Sequence, residues 1–115
     1  MKSFSFLIFI LLIVGCVQNK SIPIIEFSQS DMKDGILIDV RTPEEHGLGH
    51  LENAVNINVL ADDFVKHFDD ISKKKTIYVY CKKGGRSAKA AKSLEDLGYT
   101  VVDLLGGYDA LHPNE

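Results

Sequence analysis

The chain lacks several features that would mark other functions. It has no basic tract and no interleaving of basic with aromatic residues, and its formal net charge is −3. Its overall field therefore does not favour nucleic acid or an anionic surface. Lys73-Lys74-Lys75 reads as a solvated turn ahead of a strand. No apolar run reaches the ~20 residues of a membrane-spanning helix. His46, His50, His67 and His112 form no metal-ligand cluster with Cys81 at a recognised spacing. Gly47 and Gly49 argue against a continuous helix carrying His46 and His50 together. No motif calls for a cofactor. There are no internal repeats and no low-complexity segment, and 115 residues suffice for one small domain but not two.

What is present starts with a targeting pattern. Lys2 is a positive n-region, and Phe4 to Val14, broken by Ser5, is an apolar h-region of signal-peptide length. Ile13-Val14-Gly15-Cys16 resembles a bacterial lipobox. The resemblance implies a signal peptide over residues 1–15, lipid on Cys16, a short tether over 16–21 and a folded domain over 22–115. The protein would then be exported and lipid-anchored to the cell envelope, on its periplasmic or outer face, with the membrane as a partner. Of the two cysteines, lipidation of Cys16 would leave Cys81 without a partner in its own chain.

From residue 23 onward, strands alternate with helices. An edge strand is expected over 23–27 with Pro23 at its start, and Ser28 or Ser30 can cap a brief helical turn. Residues 35–40 form a continuously apolar strand. Thr42, Pro43 and Glu45 spell a helix start with a capping box, and Gly47 and Gly49 keep that helix short. A strand follows over 54–59, and a helix over 60–68 with Leu60, Phe64, Val65 and Phe68 on one face. His67 beside that face reads as a partly exposed helical histidine. Thr76–Tyr80 is a strand. A helix over 88–97 has Ala88, Ala91, Leu94 and Leu97 as its inner stripe and Gly98 as a left-handed cap. A strand over 99–105 and a final short helix complete the chain. The pattern predicts an α/β domain, a mostly parallel central sheet flanked by helices on both faces. Sites in such sheets form at the carboxyl ends of the strands.

Cys81 ends the 76–80 strand, and Lys82-Lys83-Gly84-Gly85-Arg86-Ser87 follows it. A thiol attacks as thiolate. Three positive side chains, a helix N-terminus and a glycine pair able to turn backbone N–H groups inward all favour that form. The same donors would hold an anionic substrate. Ser87 is placed to cap the helix and to bond the sulfur. A buried structural thiol is the other role open to a strand-end cysteine, but it needs no Lys-Lys-Gly-Gly-Arg loop behind it.

Four ordered blocks carry a family resemblance. They are Leu37-Ile38-Asp39-Val40-Arg41-Thr42-Pro43-Glu44-Glu45, Gly49-His50-Leu51-Glu52-Asn53-Ala54-Val55-Asn56-Ile57, Tyr80-Cys81-Lys82-Lys83-Gly84-Gly85-Arg86-Ser87 and Leu105-Gly106-Gly107-Tyr108. Together they resemble the rhodanese-like domains over nearly all of residues 22–111. The resemblance implies sulfur transfer. Cys81 would attack the outer sulfur of an anionic donor such as thiosulfate, polysulfide or a persulfide, and become a persulfide. It would then pass the sulfur to cyanide or a thiol, which a protein could supply. The backbone from Lys82 to Ser87 would stabilise the persulfide, Arg86 close the loop, and Lys82 and Lys83 attract the donor. Asp39 and Arg41 would form an ion-paired scaffold, with Arg41 within reach of substrate, and His50 would fix a turn. Many thiosulfate-using members have arginine where this chain has Lys82, and the family often has tryptophan or another large residue where it has Tyr108. Lysine keeps the charge but loses the bidentate fork.

Two rival readings stay open. Cysteine phosphatases also use a thiolate and an arginine in a helix-capped loop, but with five residues between them; here there are four. The smaller cup suits a sulfur atom better than a phosphoryl group. A membrane-tethered module that carries persulfide or relays redox equivalents without free turnover would need the same residues.

Overall fold

The computed structural model describes residues 20–114, so the signal-peptide reading and Cys16 lie outside the described residues. Five strands form one all-parallel sheet: β1 (Lys20–Pro23), β2 (Gly35–Asp39), β3 (Val55–Asn56), β4 (Thr76–Tyr80) and β5 (Thr100–Leu105), in the order β1-β5-β4-β2-β3. The α-helices are α1 (Pro43–Leu48), α2 (Gly85–Asp96) and α3 (Gly107–Leu111), with 3₁₀ turns at Ile24–Glu26, Gln29–Asp31 and Phe64–Phe68.

The central strands are buried on both faces, and alternation sends successive side chains to opposite cores. Ile38, Ile77, Val79, Cys81 and Val101 point to the side covered by α2 and the Phe64–Phe68 turn. Leu37, Tyr80, Val102 and Leu104 point to the side covered by the Ile24–Glu26 turn and α3. Each fully buried aliphatic side chain contributes roughly 1.5–3 kcal/mol over exposure.

Several boundaries differ from the sequence expectation. The edge strand comes earlier, at Lys20–Pro23, so it takes Lys20 and Ser21 from the tether and has Pro23 at its end. Proline fixes φ near −58° and offers no N–H, and the chain turns there into the 3₁₀ turn that buries Ile24. Residues 54–59 yield strand at Val55–Asn56 alone. The expected helix over 60–68 is only the Phe64–Phe68 3₁₀ turn. Asn58 captures the Leu60 amide with its side chain and the Ala61 amide with its carbonyl, bonds that hold this backbone in a turn. Phe64 and Phe68 reach the core, while Leu60 and Val65 stay exposed.

The helix after Cys81 starts at Gly85 rather than at Ala88. Its inner face is Ser87, Ala90, Ala91 and Leu94, and Ala88 and Leu97 face solvent. Arg86 and Ser87 therefore belong to its first turn and are not a preceding cap. The capping box at α1 forms as expected, with Glu45 N–H donating to Thr42 Oγ1 at 3.3 Å and Thr42 N–H to Glu45 Oε1 at 3.2 Å. Gly98 follows α2 with φ +94°, the left-handed stop expected of it.

Candidate active site

Cys81 lies just past the carboxyl end of β4, with 1% of its surface exposed. Three residues, Lys82, Lys83 and Gly84, separate it from α2. Gly84 adopts φ +125°, a conformation side chains resist, and this turns its N–H onto Cys81 Sγ at 3.0 Å. The Gly84 carbonyl accepts from Ala88 N–H at 3.2 Å, which starts the helix, and from Ser87 Oγ at 3.1 Å. Ser87 Oγ also lies 3.5 Å from the sulfur. The sulfur thus sits at the positive end of a helix of 12 residues with one backbone amide aimed at it. Lys82 and Lys83 are exposed, and Gly85 meets open space.

Behind the loop, Tyr108 N–H donates to the Cys81 carbonyl at 2.8 Å and Asp109 N–H to the Lys82 carbonyl at 3.0 Å. This close approach requires Gly107, because a Cβ there would overlap the Lys82 and Cys81 carbonyls.

Arg86 is bonded to α1. Its guanidinium grips Glu45 of α1 with both ends, Nη1 to Oε1 at 2.5 Å and Nη2 to Oε2 at 2.8 Å. Those bonds, joined by Thr42, pull the Glu45 carboxyl down to about 2 against partial burial. Sequence reading placed Glu45 in a helix cap and missed this second role. An acidic residue opposite an active-loop arginine is the signal, but 41 residues separate the two.

Asp39 is fully buried and accepts from Arg41 Nε at 2.9 Å and Nη2 at 2.7 Å, from His46 Nδ1 at 2.9 Å and from the Tyr80 hydroxyl at 3.1 Å. Burial alone would raise its carboxyl, yet these donors and the Arg41 charge hold it below the usual range. Burial also raises the Tyr80 hydroxyl, which accepts from Leu51 N–H at 3.0 Å. The expected Asp39–Arg41 scaffold is therefore present. Arg41 Nη2 also donates to the Gly49 carbonyl at 2.6 Å, and the guanidinium lies 4.5 Å over Tyr108. His50 fixes a turn, Nδ1 donating to the His46 carbonyl at 2.8 Å, and the two imidazoles stack at 3.7 Å. His67 is exposed beside Asp63.

Arg41, Glu45, Leu48, Gly49, Lys82, Tyr108 and Asp109 line a cleft of about 220 Å³. It carries two cations, Arg41 and Lys82, and two carboxylates, Glu45 and Asp109, with Arg41 paired to Asp39 and Glu45 to Arg86. A larger groove, about 580 Å³, lies at the amino ends of the strands against Ile22, Tyr78 and Val102 and shares no residue with the site. Among the described residues no group of three or more His, Cys, Asp or Glu side chains could hold a metal ion.

The family model for the rhodanese-like domain matches residues 26–113. The chain belongs to the rhodanese-like domain family. It is 36% identical over 88 residues to thiosulfate sulfurtransferase 16, chloroplastic, of Arabidopsis thaliana, covering 67% of this chain and 73% of that protein. It is 42% identical over 74 residues to the adenylyltransferase and sulfurtransferase uba4 of Ogataea parapolymorpha, covering 62% of this chain but 18% of that much longer protein. The crystal structure of a rhodanese-like domain protein from Staphylococcus aureus superposes with a TM-score of 0.70 at 33% identity, covering 79% of this chain and 89% of that one. Rhodanese-like membership fits the all-parallel sheet and the cysteine loop at its carboxyl edge.

Proposed function

We propose that this rhodanese-like protein is a sulfurtransferase in which Cys81 is the nucleophile and sulfur carrier. The sulfur of Cys81 attacks the outer sulfur of an anionic donor such as thiosulfate, polysulfide or a persulfide. The donor's S–S bond breaks, sulfite or a thiolate leaves with the electron pair, and Cys81 holds a persulfide. A thiol or cyanide then takes the outer sulfur and regenerates Cys81. The observation that carries this reading is the Gly84 N–H directed at Cys81 Sγ from the N-terminal end of α2. It supports an anionic sulfur, and the amides and cations from Lys82 to Ser87 would support the persulfide after it. Lys82 and Lys83 draw the donor in, while Arg86 holds the loop through Glu45. Asp39 and Arg41 brace the opposite wall. We place the protein at the bacterial cell envelope through lipid on Cys16, on the strength of Ile13-Val14-Gly15-Cys16; Cys16→Ser should release it from the membrane fraction.

The test is mass spectrometry of the full chain, purified in detergent, after exposure to thiosulfate or polysulfide. One sulfur atom is gained on Cys81, and none is gained by Cys81→Ser. No adduct with any sulfane donor would overturn the proposal. Release of phosphate from an aryl phosphate without sulfur transfer would favour a phosphatase instead.

A further inference from the structure

Of the charged side chains lining the cleft beside the cysteine loop, two already have partners. Arg41 Nη2 lies 2.7 Å from the Asp39 carboxylate, and Glu45 is gripped by Arg86. The others are Lys82 and Asp109. Among the described residues neither of these forms an ion pair, with each other or with a third group. Yet Asp109 N–H donates to the Lys82 carbonyl at 3.0 Å, so the two side chains leave the backbone at adjoining points. Lys82 is exposed and Asp109 half-buried. The cleft therefore offers one open positive charge beside one open negative charge.

The nucleophile is close by in the chain. Lys82 directly follows Cys81, which puts their Cα atoms about 3.8 Å apart. Tyr108, another wall residue, donates its N–H to the Cys81 carbonyl at 2.8 Å. Leu48, 92% exposed, and Tyr108 give the wall its apolar part. The volume is about 220 Å³, whereas sites for drug-sized ligands begin at about 300 Å³. That size favours a molecule smaller than a tripeptide.

These charges discriminate between donors. A doubly negative donor such as thiosulfate gains from Lys82 but also meets the unbalanced Asp109 carboxylate. An α-amino acid carries an ammonium and a carboxylate on one carbon and satisfies both groups. We propose that the cleft binds the amino-acid end of a small zwitterionic persulfide, with cysteine persulfide as the type, Lys82 taking its carboxylate and Asp109 its ammonium. The inference rests on the sulfur-transfer reading and narrows its donor. The Cys81 thiolate attacks the outer sulfur, the donor's S–S bond breaks, and cysteine thiolate leaves with the electron pair. The outer sulfur keeps its proton as it joins Cys81. One S–S bond is exchanged for another, so no further oxidant or reductant is required.

The test follows loading of Cys81 by mass spectrometry in the full chain, purified in detergent. The donors are cysteine persulfide and mercaptopropionate persulfide, which has the carboxylate but no ammonium. The wild-type protein should load about three- to fivefold faster from cysteine persulfide, the range of a partly exposed ion pair. Asp109→Asn should abolish that preference and Asp109→Glu restore it; both keep the backbone N–H that bonds Lys82. Equal rates in the wild-type protein, or a preference that survives Asp109→Asn, overturns the proposal. A second readout needs no sulfur transfer. S-methylcysteine, an unreactive thioether, should give saturable NMR shifts of the Tyr108 and Asp109 amides, and methylthiopropionate should bind several-fold more weakly. Equal binding of the two, or none of either, overturns the proposal. If S-methylcysteine binds while no donor loads Cys81, the sulfur-transfer reading falls and the site stands. If thiosulfate loads Cys81 and the ammonium makes no difference, the site falls and sulfur transfer stands.

Discussion

The Glu45–Arg86 pair ties α1 to the active-site loop, and Glu45→Gln tests how much that tie contributes. Gln at this position keeps an oxygen for the Thr42 capping bonds but loses the charge facing Arg86. Both side chains are about a quarter exposed, at 26% and 27%. Exposed ion pairs contribute about 0–1 kcal/mol, whereas breaking a buried one costs about 3–5 kcal/mol. The displacement of the Glu45 carboxyl from 4.5 to about 2 sets a ceiling near 3 kcal/mol at about 1.4 kcal/mol per pH unit, and Thr42 accounts for part of that. The expected loss for Glu45→Gln is therefore about 1–2 kcal/mol at neutral pH. Because the folded carboxyl is the more acidic one, its contribution is fully present above the unfolded value and fades as pH falls through the folded value. The wild-type advantage should shrink between about pH 5 and pH 2. Urea unfolding of both proteins at several pH values reads this directly. Equal stability at neutral pH would refute the reasoning, and so would a difference that persists unchanged at about pH 2.

Other perturbations have equally definite outcomes. Asp39→Asn removes the charge that compensates the buried Arg41 guanidinium, and should cost about 3–5 kcal/mol in denaturant unfolding. Gly107→Ala combines φ +67° with a Cβ pressed into the Lys82 and Cys81 carbonyls, so a loss of about 3 kcal/mol or more is expected by thermal melting, along with sulfur transfer. Gly84→Ala brings the new methyl into ordinary contact with the Gly106 nitrogen at 3.9 Å, and its cost should come from φ +125°, about 1–2 kcal/mol of backbone strain, with slower alkylation of Cys81 as its amide turns off the sulfur. Lys82→Arg supplies the bidentate fork common among thiosulfate users, and should lower the KM for thiosulfate in a sulfite-release assay.

The parts of this fold readable from sequence were those fixed locally. Val79 and Ile77 sit in a short apolar run, Thr42 and Glu45 in a capping box, and Gly98 after a helical stripe, and each appears where its pattern placed it. Cys81 could be singled out because cations and glycines cluster directly behind it. The errors came where another segment decides the outcome. Ala88 looked like the first helical residue because Gly84-Gly85 reads as a loop, yet the Gly84 carbonyl is already the first acceptor of α2. Leu60 and Phe64 share a helical spacing, but the Asn58 bonds override it. The partners of Asp39 and Arg86 come from His46, Tyr80 and Glu45, chosen by the crossing of β2, β4 and α1 rather than by spacing.

The two amides of Tyr108 and Asp109 hold the carbonyls of Cys81 and Lys82. A peptide unit has two polar ends facing opposite ways. With the carbonyls of Cys81 and Lys82 fastened to the last helix, the two peptides that lead up to the Gly84 amide are held in place. The tail thus anchors the start of the loop whose next amide meets the sulfur. A protease cut after Gly106 would leave the cysteine, both glycines and the arginine intact in sequence, yet loosen the two peptides on which the position of that amide depends.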